Sequence, residues 1–179
     1  MINKTINVKN YDLIVIGAGS GGVRAARIAA NYGAKVAIIE SVRVGGTCVL
    51  RGCVPKKLLV YGSHISHDIE DAAGFGWEIE SIKHDWSKLI KSKDNELDRL
   101  HNIYLNFLSK VDIINGFGKI VGNNEVEVNG KIIKAKTILI AVGGKPYLPK
   151  LKGIELCINS DQALDLKALP KSIIINGGG

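Results

Sequence analysis

The sequence predicts an α/β fold in which a parallel sheet carries helices on one face and a small antiparallel β-meander on the other. Three observations support this prediction. Two apolar runs flank a glycine turn and an alanine-rich stretch between Tyr11 and Glu40. A helical apolar stripe extends from Asp85 to about Lys110. Valines then alternate with glutamates before Asn129-Gly130, a dipeptide typical of β-hairpins.

Size and composition describe an ordinary globular protein. The chain has 179 residues, of which 46% are hydrophobic and 23% charged, which is enough for a sizeable core. No apolar run approaches the ~20 residues of a spanning helix, and the start of the chain lacks a signal-peptide core. We therefore expect a cytoplasmic protein without a membrane partner. The net charge is +7, but the lysines are scattered and no nucleic-acid motif occurs, so we expect no nucleic-acid partner.

The first motif lies near the start of the chain. A buried strand over Tyr11–Ile16 leads into Gly17–Gly22, which contains G-x-G-x-x-G, and a helix is predicted over Val23–Tyr32. A second strand over Lys35–Ile39 ends at Glu40. Strand, glycine turn, helix, strand and acid in this order predict a dinucleotide-binding unit.

Each glycine of this motif has a physical role. Gly17 permits the tight turn, Gly19 lets the backbone approach a pyrophosphate, and Gly22 allows close packing of helix on strand. The helix start offers free N–H groups to the phosphates. Glu40 lies ~20 residues on, where a carboxylate accepts from a ribose hydroxyl.

The second motif is GGTCVLRGCVPKK, residues 45–57. Cys48 and Cys53 stand five positions apart, and a disulfide between them would close a short, strained and easily reduced ring. Lys56 and Lys57, close to a helix start, would favour a thiolate there. A redox-active pair is the favoured interpretation. The alternatives are two buried apolar side chains or half of a zinc site, although Cys157 is the only other cysteine.

The middle of the chain predicts a helix over Lys57–Asp71, an irregular stretch, and the long helix that Asp85 caps. We interpret His64 and His67 as surface residues and expect no metal site. Lys93 interrupts the apolar stripe of the long helix, and most of that stripe is expected to be core.

The second half of the chain predicts strands. Val111–Asn115, a returning strand over Lys131–Lys134 and a separate buried strand over Thr137–Val142 are expected. After a proline-containing loop and a short helix that starts at Asn159, Ser172–Asn176 predicts a strand followed by three glycines. This repeats the opening pattern, so we expect a first domain over residues 1–150, and a linker and the start of a truncated second nucleotide-binding domain over 151–179.

Taken together, GAGSGGVRAAR, Glu40, GGTCVLRGCVPKK and TILIAVGGKP resemble the FAD-binding domain of the flavin disulfide reductases, the class-I pyridine nucleotide-disulfide oxidoreductases. Within that family the chain is most similar to the glutathione reductases, over essentially its whole length. Lys56-Lys57 stands where lipoamide dehydrogenases typically carry Ser-Lys, whereas thioredoxin and trypanothione reductases share the two lysines.

The resemblance implies a site for FAD and for a disulfide substrate. The FAD-binding residues it implies are Gly17, Gly19, Ser20, Gly21, Gly22, Glu40, Gly46, Thr47, Cys48, Cys53, Lys56, Phe117, Gly118, Val142 and Gly143. Cys53 would be the thiol nearest the flavin, Cys48 the thiol that attacks the substrate, and Lys56 the cation beside the reactive edge of the ring. Ser20, Arg27 and Tyr104 would contact glutathione disulfide, with Tyr104 equally interpretable as a core aromatic.

The implied reaction passes electrons from NADPH to FAD, then to Cys48–Cys53 and then to glutathione disulfide, in a homodimer. The NADP site and the family's general-acid His-Glu pair have no match in this sequence. The leading hypothesis is therefore a FAD-binding fragment that is not active alone. The alternatives are a non-catalytic flavin-binding remnant, half of a split enzyme, or a related reductase of thioredoxin, trypanothione or mercuric ion.

Overall fold

The structure is a computed structural model that describes residues 9–177. Within these residues, six strands and five helices follow one another. They are β1 (Asn10–Ile16), α1 (Ser20–Asn31), β2 (Val36–Glu40), α2 (Gly46–Arg51), α3 (Cys53–Asp71), α4 (Trp86–Phe107), β3 (Asp112–Asn115), β4 (Lys119–Gly122), β5 (Glu125–Val128), β6 (Lys131–Ile140) and α5 (Ser160–Ala163). Short 3₁₀ turns occur at Ala72–Phe75 and Ile154–Leu156.

The strands form one sheet in the order β3-β2-β1-β6-β5-β4. Strands β3, β2, β1 and β6 are parallel, whereas β5 runs antiparallel to both β6 and β4. Neighbouring residues of β1 face opposite sides, because successive side chains of a strand alternate. The predicted α/β fold is therefore confirmed.

Two buried clusters cover the two faces of the parallel sheet. The helix-side cluster consists of Val15, Ala18, Val23, Ala26, Ala30, Val36, Ile38, Val44, Leu108 and Val111. The meander-side cluster consists of Tyr11, Ile14, Ile16, Ala37, Ile39, Val126, Val128, Ile133 and Ala135. The helices thus pack on one face and the meander on the other, as the sequence predicts.

Strand β6 belongs to both parts of the sheet. Its first residues pair with β5 across the turn at Asn129 and Gly130, whose φ angles of 52° and 72° suit such a turn. Its later residues pair with β1, with Leu13 opposite Thr137. The prediction of two separate strands is therefore wrong. The second half is also not buried, since Thr137, Leu139 and Ile140 are exposed, Ile140 by 62%.

Two of the predicted helices begin earlier than expected, and the long helix has its predicted cap. Helix α1 begins at Ser20, because the glycines of its first turn join the helix. The cysteine motif is itself helical: α2 covers Gly46–Arg51, and α3 begins at Cys53 rather than at Lys57. Helix α4 has the predicted cap, since the Asp85 side chain accepts from the backbone N–H of Lys88.

The strand predicted over Ser172–Asn176 is not formed. Residues 172–177 are irregular, and Ile174 is 95% exposed. A parallel strand needs a neighbour to accept its hydrogen bonds, and none of the strands described within residues 9–177 lies beside this segment. The last two glycines of the predicted repeat lie outside the described residues, so the second domain stays a prediction. None of the helices described is long and apolar enough to cross a membrane.

Candidate functional site

A cleft opens at the carboxyl ends of β1, β2 and β6. A cavity of about 280 Å³ there is lined by residues from both glycine motifs and from the end of β6. Of the residues implied by the resemblance, it contains Gly17, Gly19, Glu40, Gly46, Thr47, Val142 and Gly143. A second cavity, of about 210 Å³, adjoins it along Gly17, Glu40 and Val142 and extends to Phe117 and Gly118. The two cavities together are called the cleft below.

Glycines shape the floor of the cleft. Gly17 has φ +104°, and a Cβ placed on it would lie 2.3 Å from the carbonyl oxygen of Ala141. Gly46 has φ +62°, and its Cβ would lie 2.5 Å from the Cα of Gly19. Side chains are therefore excluded where the two motifs touch. The backbone offers a smooth, close surface at this point to a flat or phosphorylated ligand.

The start of helix α1 faces this surface with unpaired polar groups. Its N-cap residue, Gly19, makes no side-chain cap, and the first turn contains no acidic residue. The N–H groups of the first turn therefore lack an intrahelical partner, and the helix dipole adds partial positive charge. These are the properties of an anion site.

Glu40 is fixed in place by the backbone around it. Its Oε2 accepts from the N–H of Ala18 at 2.8 Å, and its Oε1 accepts from the N–H of Val42 at 2.9 Å. The carboxylate therefore ties β1's exit loop to β2's exit loop at the edge of the cleft. Each oxygen retains a lone pair with which to accept from a ligand hydroxyl.

The cleft also contains charged residues to which the sequence analysis assigned no role. Arg43, Arg51 and Lys145 line it, together with Asp161 from α5. The guanidinium Nη2 of Arg43 lies 2.6 Å from the carboxylate Oδ1 of Asp98 on α4. The cations suit an anionic ligand. The position of Arg43 depends on this contact with Asp98, which is distant in sequence. Of these charged residues, only Arg43 could have been indicated by the sequence, through its closeness to Glu40.

The two cysteines lie on two consecutive helices. Cys48 is in the first turn of α2, which begins at the cleft residue Gly46, and Cys53 is the first residue of α3. Gly52 joins the helices, and a Cβ there would lie 2.9 Å from the carbonyl oxygen of Thr47. Both cysteines are free thiols, Cys48 half-buried and Cys53 exposed. Their disulfide therefore stays a prediction.

The environment of Cys48 opposes the thiolate. A hydrogen bond with the Cys53 side chain raises the pKa of the Cys48 thiol, and burial raises it further, while the Ser20 hydroxyl acts in the opposite direction. Cys53 and burial therefore disfavour the Cys48 thiolate in this dithiol form, whereas the thiolate expected beside Lys56 and Lys57 stays a prediction. Lys56 and Lys57 are exposed, and the Lys57 ammonium lies over the Tyr61 ring, 5.3 Å from its centroid.

This pKa shift predicts how Cys48 reacts with an alkylating reagent. Since only the thiolate reacts, we expect Cys48 to alkylate slowly at neutral pH, and the midpoint of its rate-against-pH profile to lie above pH 9.0, the ordinary pKa for this group. Replacing Cys53 with alanine removes the main cause, so the rate profile should move to lower pH. The measurement is iodoacetamide labelling against pH, with Cys157→Ser present in both proteins. An unchanged profile in the Cys53→Ala protein would contradict this explanation.

The other predicted residues lie outside the cleft lining. Arg27 stacks on Phe107, its guanidinium carbon 4.8 Å from the ring centroid, and Tyr104 packs against the helix-side cluster. This position suits the core interpretation of Tyr104. Cys53 and Lys56 line neither cavity. Within residues 9–177 no group of three potential ligands could hold a metal ion, and both His64 and His67 are exposed.

Comparisons with known proteins agree with this geometry. A family model described as "Pyridine nucleotide-disulphide oxidoreductase" matches residues 11–179. A chloroplastic/mitochondrial glutathione reductase of Pisum sativum is 52% identical over 183 residues, covering 95% of this chain and 33% of the relative. A glutathione reductase of Burkholderia cepacia is 53% identical, covering 95% of this chain and 38% of the relative.

A second activity also occurs among the relatives. A dihydrolipoyl dehydrogenase of Acholeplasma laidlawii is 38% identical over 96% of this chain, which covers 54% of that protein. The chain thus spans between a third and just over half of the length of these relatives.

Proposed function

The chain belongs to the pyridine nucleotide-disulphide oxidoreductase family, and on that premise we propose that it binds FAD in the cleft and carries the redox-active pair of a glutathione-disulfide reductase. One observation carries the proposal. Helix α2 begins at Gly46 in the cleft and holds Cys48 two residues later. A thiol pair beside a dinucleotide cleft is the arrangement that disulfide reduction by a flavin requires.

The cleft residues suit the parts of FAD. The free N–H groups at the start of α1 would hold the pyrophosphate, and Arg43 and Lys145 would offset its charge. Glu40 would accept from the ribose hydroxyls, and the backbone of Phe117-Gly118 would lie near the adenine end. Gly46 and Thr47 would lie along the cofactor. Bound FAD supplies a two-electron carrier between NADPH and a disulfide.

The thiol pair would carry out the exchange with the substrate. The Cys48 thiolate attacks one sulfur of glutathione disulfide, forming a mixed disulfide and releasing one glutathione thiolate. The Cys53 thiolate then attacks the Cys48 sulfur and releases the second glutathione. The substrate gains two electrons and two protons, and the pair ends as a disulfide. Ser20, exposed beside Cys48, and Arg27 would contact the substrate, the latter through a glycine carboxylate.

The wider assignment follows the relatives. Both glutathione reductases described above are more than half identical to this chain, so we propose glutathione disulfide as the substrate and NADPH as the electron source. A homodimer and a cytoplasmic location belong to the same proposal. Oxidised lipoamide, thioredoxin and mercuric ion are the competing acceptors, and the first is favoured by the dihydrolipoyl dehydrogenase relative.

FAD binding is the first test. We expect the purified chain to bind FAD, with quenched flavin fluorescence and a shifted visible spectrum. Glu40→Gln should weaken binding about tenfold, because a charge-assisted hydrogen bond contributes about 1.5–3 kcal/mol. Glu125→Gln is the matched control, since Glu125 pairs with Lys134 on the meander. Absence of binding to the unaltered chain would refute the proposal.

The acceptor is tested separately. The dithiol form is mixed with each oxidised acceptor, and the thiol released is measured. Preference for lipoamide over glutathione disulfide would retain FAD binding and redox chemistry but overturn the proposed substrate.

A further inference from the structure

Lys93 is a buried cation in the middle of helix α4. It is only 2% exposed. Its Nζ donates to Oδ1 of Asp165 at 2.9 Å and to the carbonyl of Leu164 at 3.2 Å, and lies 2.9 Å from Oδ1 of Asp94. Three acceptors for three N–H groups satisfy the ammonium fully. An apolar residue would ordinarily occupy this position in the apolar stripe of a helix, so the buried charge requires an explanation.

The ammonium is retained although burial opposes it. Burial alone would lower the pKa of Lys93, but the hydrogen bonds with Asp165 and Asp94 outweigh it, and the pKa is raised. The same contact lowers the pKa of the Asp165 carboxyl. Both groups are therefore charged at neutral pH, and the contact is an ion pair with one buried partner.

Lys93 holds one rim of the cleft. Residues 159–166, called the rim segment here, start with the Asn159 cap and contain α5 and the cleft residue Asp161. Their last part is attached to α4 at Lys93 and also at Trp86, whose Nε1 donates to the carbonyl of Leu166 at 2.9 Å. The N–H of Leu164 donates to the carbonyl of Ser160 at 3.1 Å, so the segment is one compact turn. Fixing its end fixes Asp161.

The same helix holds the opposite rim. Asp98 pairs with Arg43, and Nδ1 of His101 lies 2.8 Å from the carbonyl oxygen of Val44, so it holds the loop that leads from β2 to α2. Helix α4 therefore attaches both sides of the cleft to one rigid element. Of these attachments, only the one through Lys93 places a buried charge under a segment distant in sequence.

We propose that Lys93 is a positioning residue for the cofactor cleft, which anchors the rim segment to α4 and thereby sets the affinity for FAD. The inference rests on the proposed FAD binding. Lys93 does not line the cleft, so its effect passes through Asp165 and Leu164 to Asp161. A structural role alone would change the unfolding transition and leave FAD affinity, measured well below that transition, unchanged.

The experiment compares four variants of the full chain with the unaltered protein. Lys93→Met keeps the length of the side chain and removes its charge, whereas Lys93→Arg keeps a cation at this position. Asp165→Asn removes the charge of the exposed partner without leaving a cavity. Lys91→Met is the control, because it alters an exposed lysine of the same helix. FAD affinity is measured by fluorescence quenching, and hydrogen exchange of the rim segment is measured without FAD. We expect FAD to bind about tenfold more weakly to Lys93→Met, because the hydrogen bonds from Lys93 to Asp165 and Leu164 that hold the rim segment are lost.

The remaining outcomes are also specified. Asp165→Asn should weaken FAD binding in the same direction, Lys93→Arg should recover most of the affinity, and Lys91→Met should change it less than about twofold. Rim-segment exchange should rise in Lys93→Met and Asp165→Asn alone. If the unaltered chain binds FAD and Asp165→Asn binds it with the same affinity, this inference is overturned and the proposed FAD binding stands. An unaltered chain that fails to bind FAD would overturn the proposed function, and the exchange data would still report whether Lys93 anchors the segment.

Discussion

Replacing Gly22 with alanine is expected to lower the free energy of unfolding by at least about 3 kcal/mol and to abolish FAD binding. A Cβ at this position would lie 1.9 Å from the carbonyl oxygen of Gly17 and 3.2 Å from a methyl carbon of Val15. Both contacts involve the first strand and its exit turn, and a backbone oxygen cannot move aside as a flexible side chain can. Helix α1 must therefore shift away from β1, and the floor of the cleft opens.

The matched control is the neighbouring residue. A Cβ at Gly21 would meet nothing within 4 Å, and Gly21 lies in the same first turn. Alanine favours helix over glycine by about 0.5–1 kcal/mol, so Gly21→Ala should equal or exceed the unaltered chain in stability. Urea unfolding followed by circular dichroism measures both. Equal stability of the two variants would show that α1 packs on β1 differently from the structure.

Removing one thiol at a time is expected to stop disulfide exchange at different steps. Cys48→Ser should reduce the release of glutathione from its disulfide by more than about a thousandfold, because the attacking nucleophile is lost. Cys53→Ser should instead accumulate a mixed disulfide between Cys48 and glutathione, because no second thiol is present to displace it. Mass spectrometry of the protein after one turnover distinguishes the products: an internal disulfide, a glutathione adduct or no change.

The third cysteine provides the control for this experiment. Cys157 is exposed, and its Sγ contacts only the carbonyl of Gly153, at 3.9 Å. Cys157→Ser should leave both the rate and the products unchanged. If the Cys48→Ser protein forms a glutathione adduct on Cys53 at the rate of the unaltered chain, the roles assigned to the two thiols must be exchanged.

Local patterns predicted the parts of this molecule that depend on neighbouring residues. Gly17, Gly19 and Glu40 line one cleft, because strand, turn and helix in a continuous segment have few possible arrangements. The hairpin at Asn129-Gly130 and the Asp85 cap were likewise evident, since each depends on backbone conformation within a few residues. The contact of Gly46 with Gly19 brings the two motifs together.

Long-range contacts could not be predicted in the same way. Lys93 is an interruption of an apolar stripe in the sequence, and only its contact with Asp165, 72 positions along the chain, explains its burial. The raised pKa of Cys48 could not be predicted from the sequence for a related reason. Closeness in sequence to Lys56 and Lys57 suggested a thiolate, but their side chains are exposed, and Cys53 and burial have the larger effect.

The double pairing of β6 has a consequence for how this protein is made. Strand β1 is the first of the described strands to be synthesised, whereas its partner β6 is synthesised after every other strand of the described sheet. Until then the apolar edge of β1 is open to wrong partners, and such late closure of a parallel pair is slow. The parallel part of the sheet is therefore completed only when the chain has been synthesised as far as Ile140.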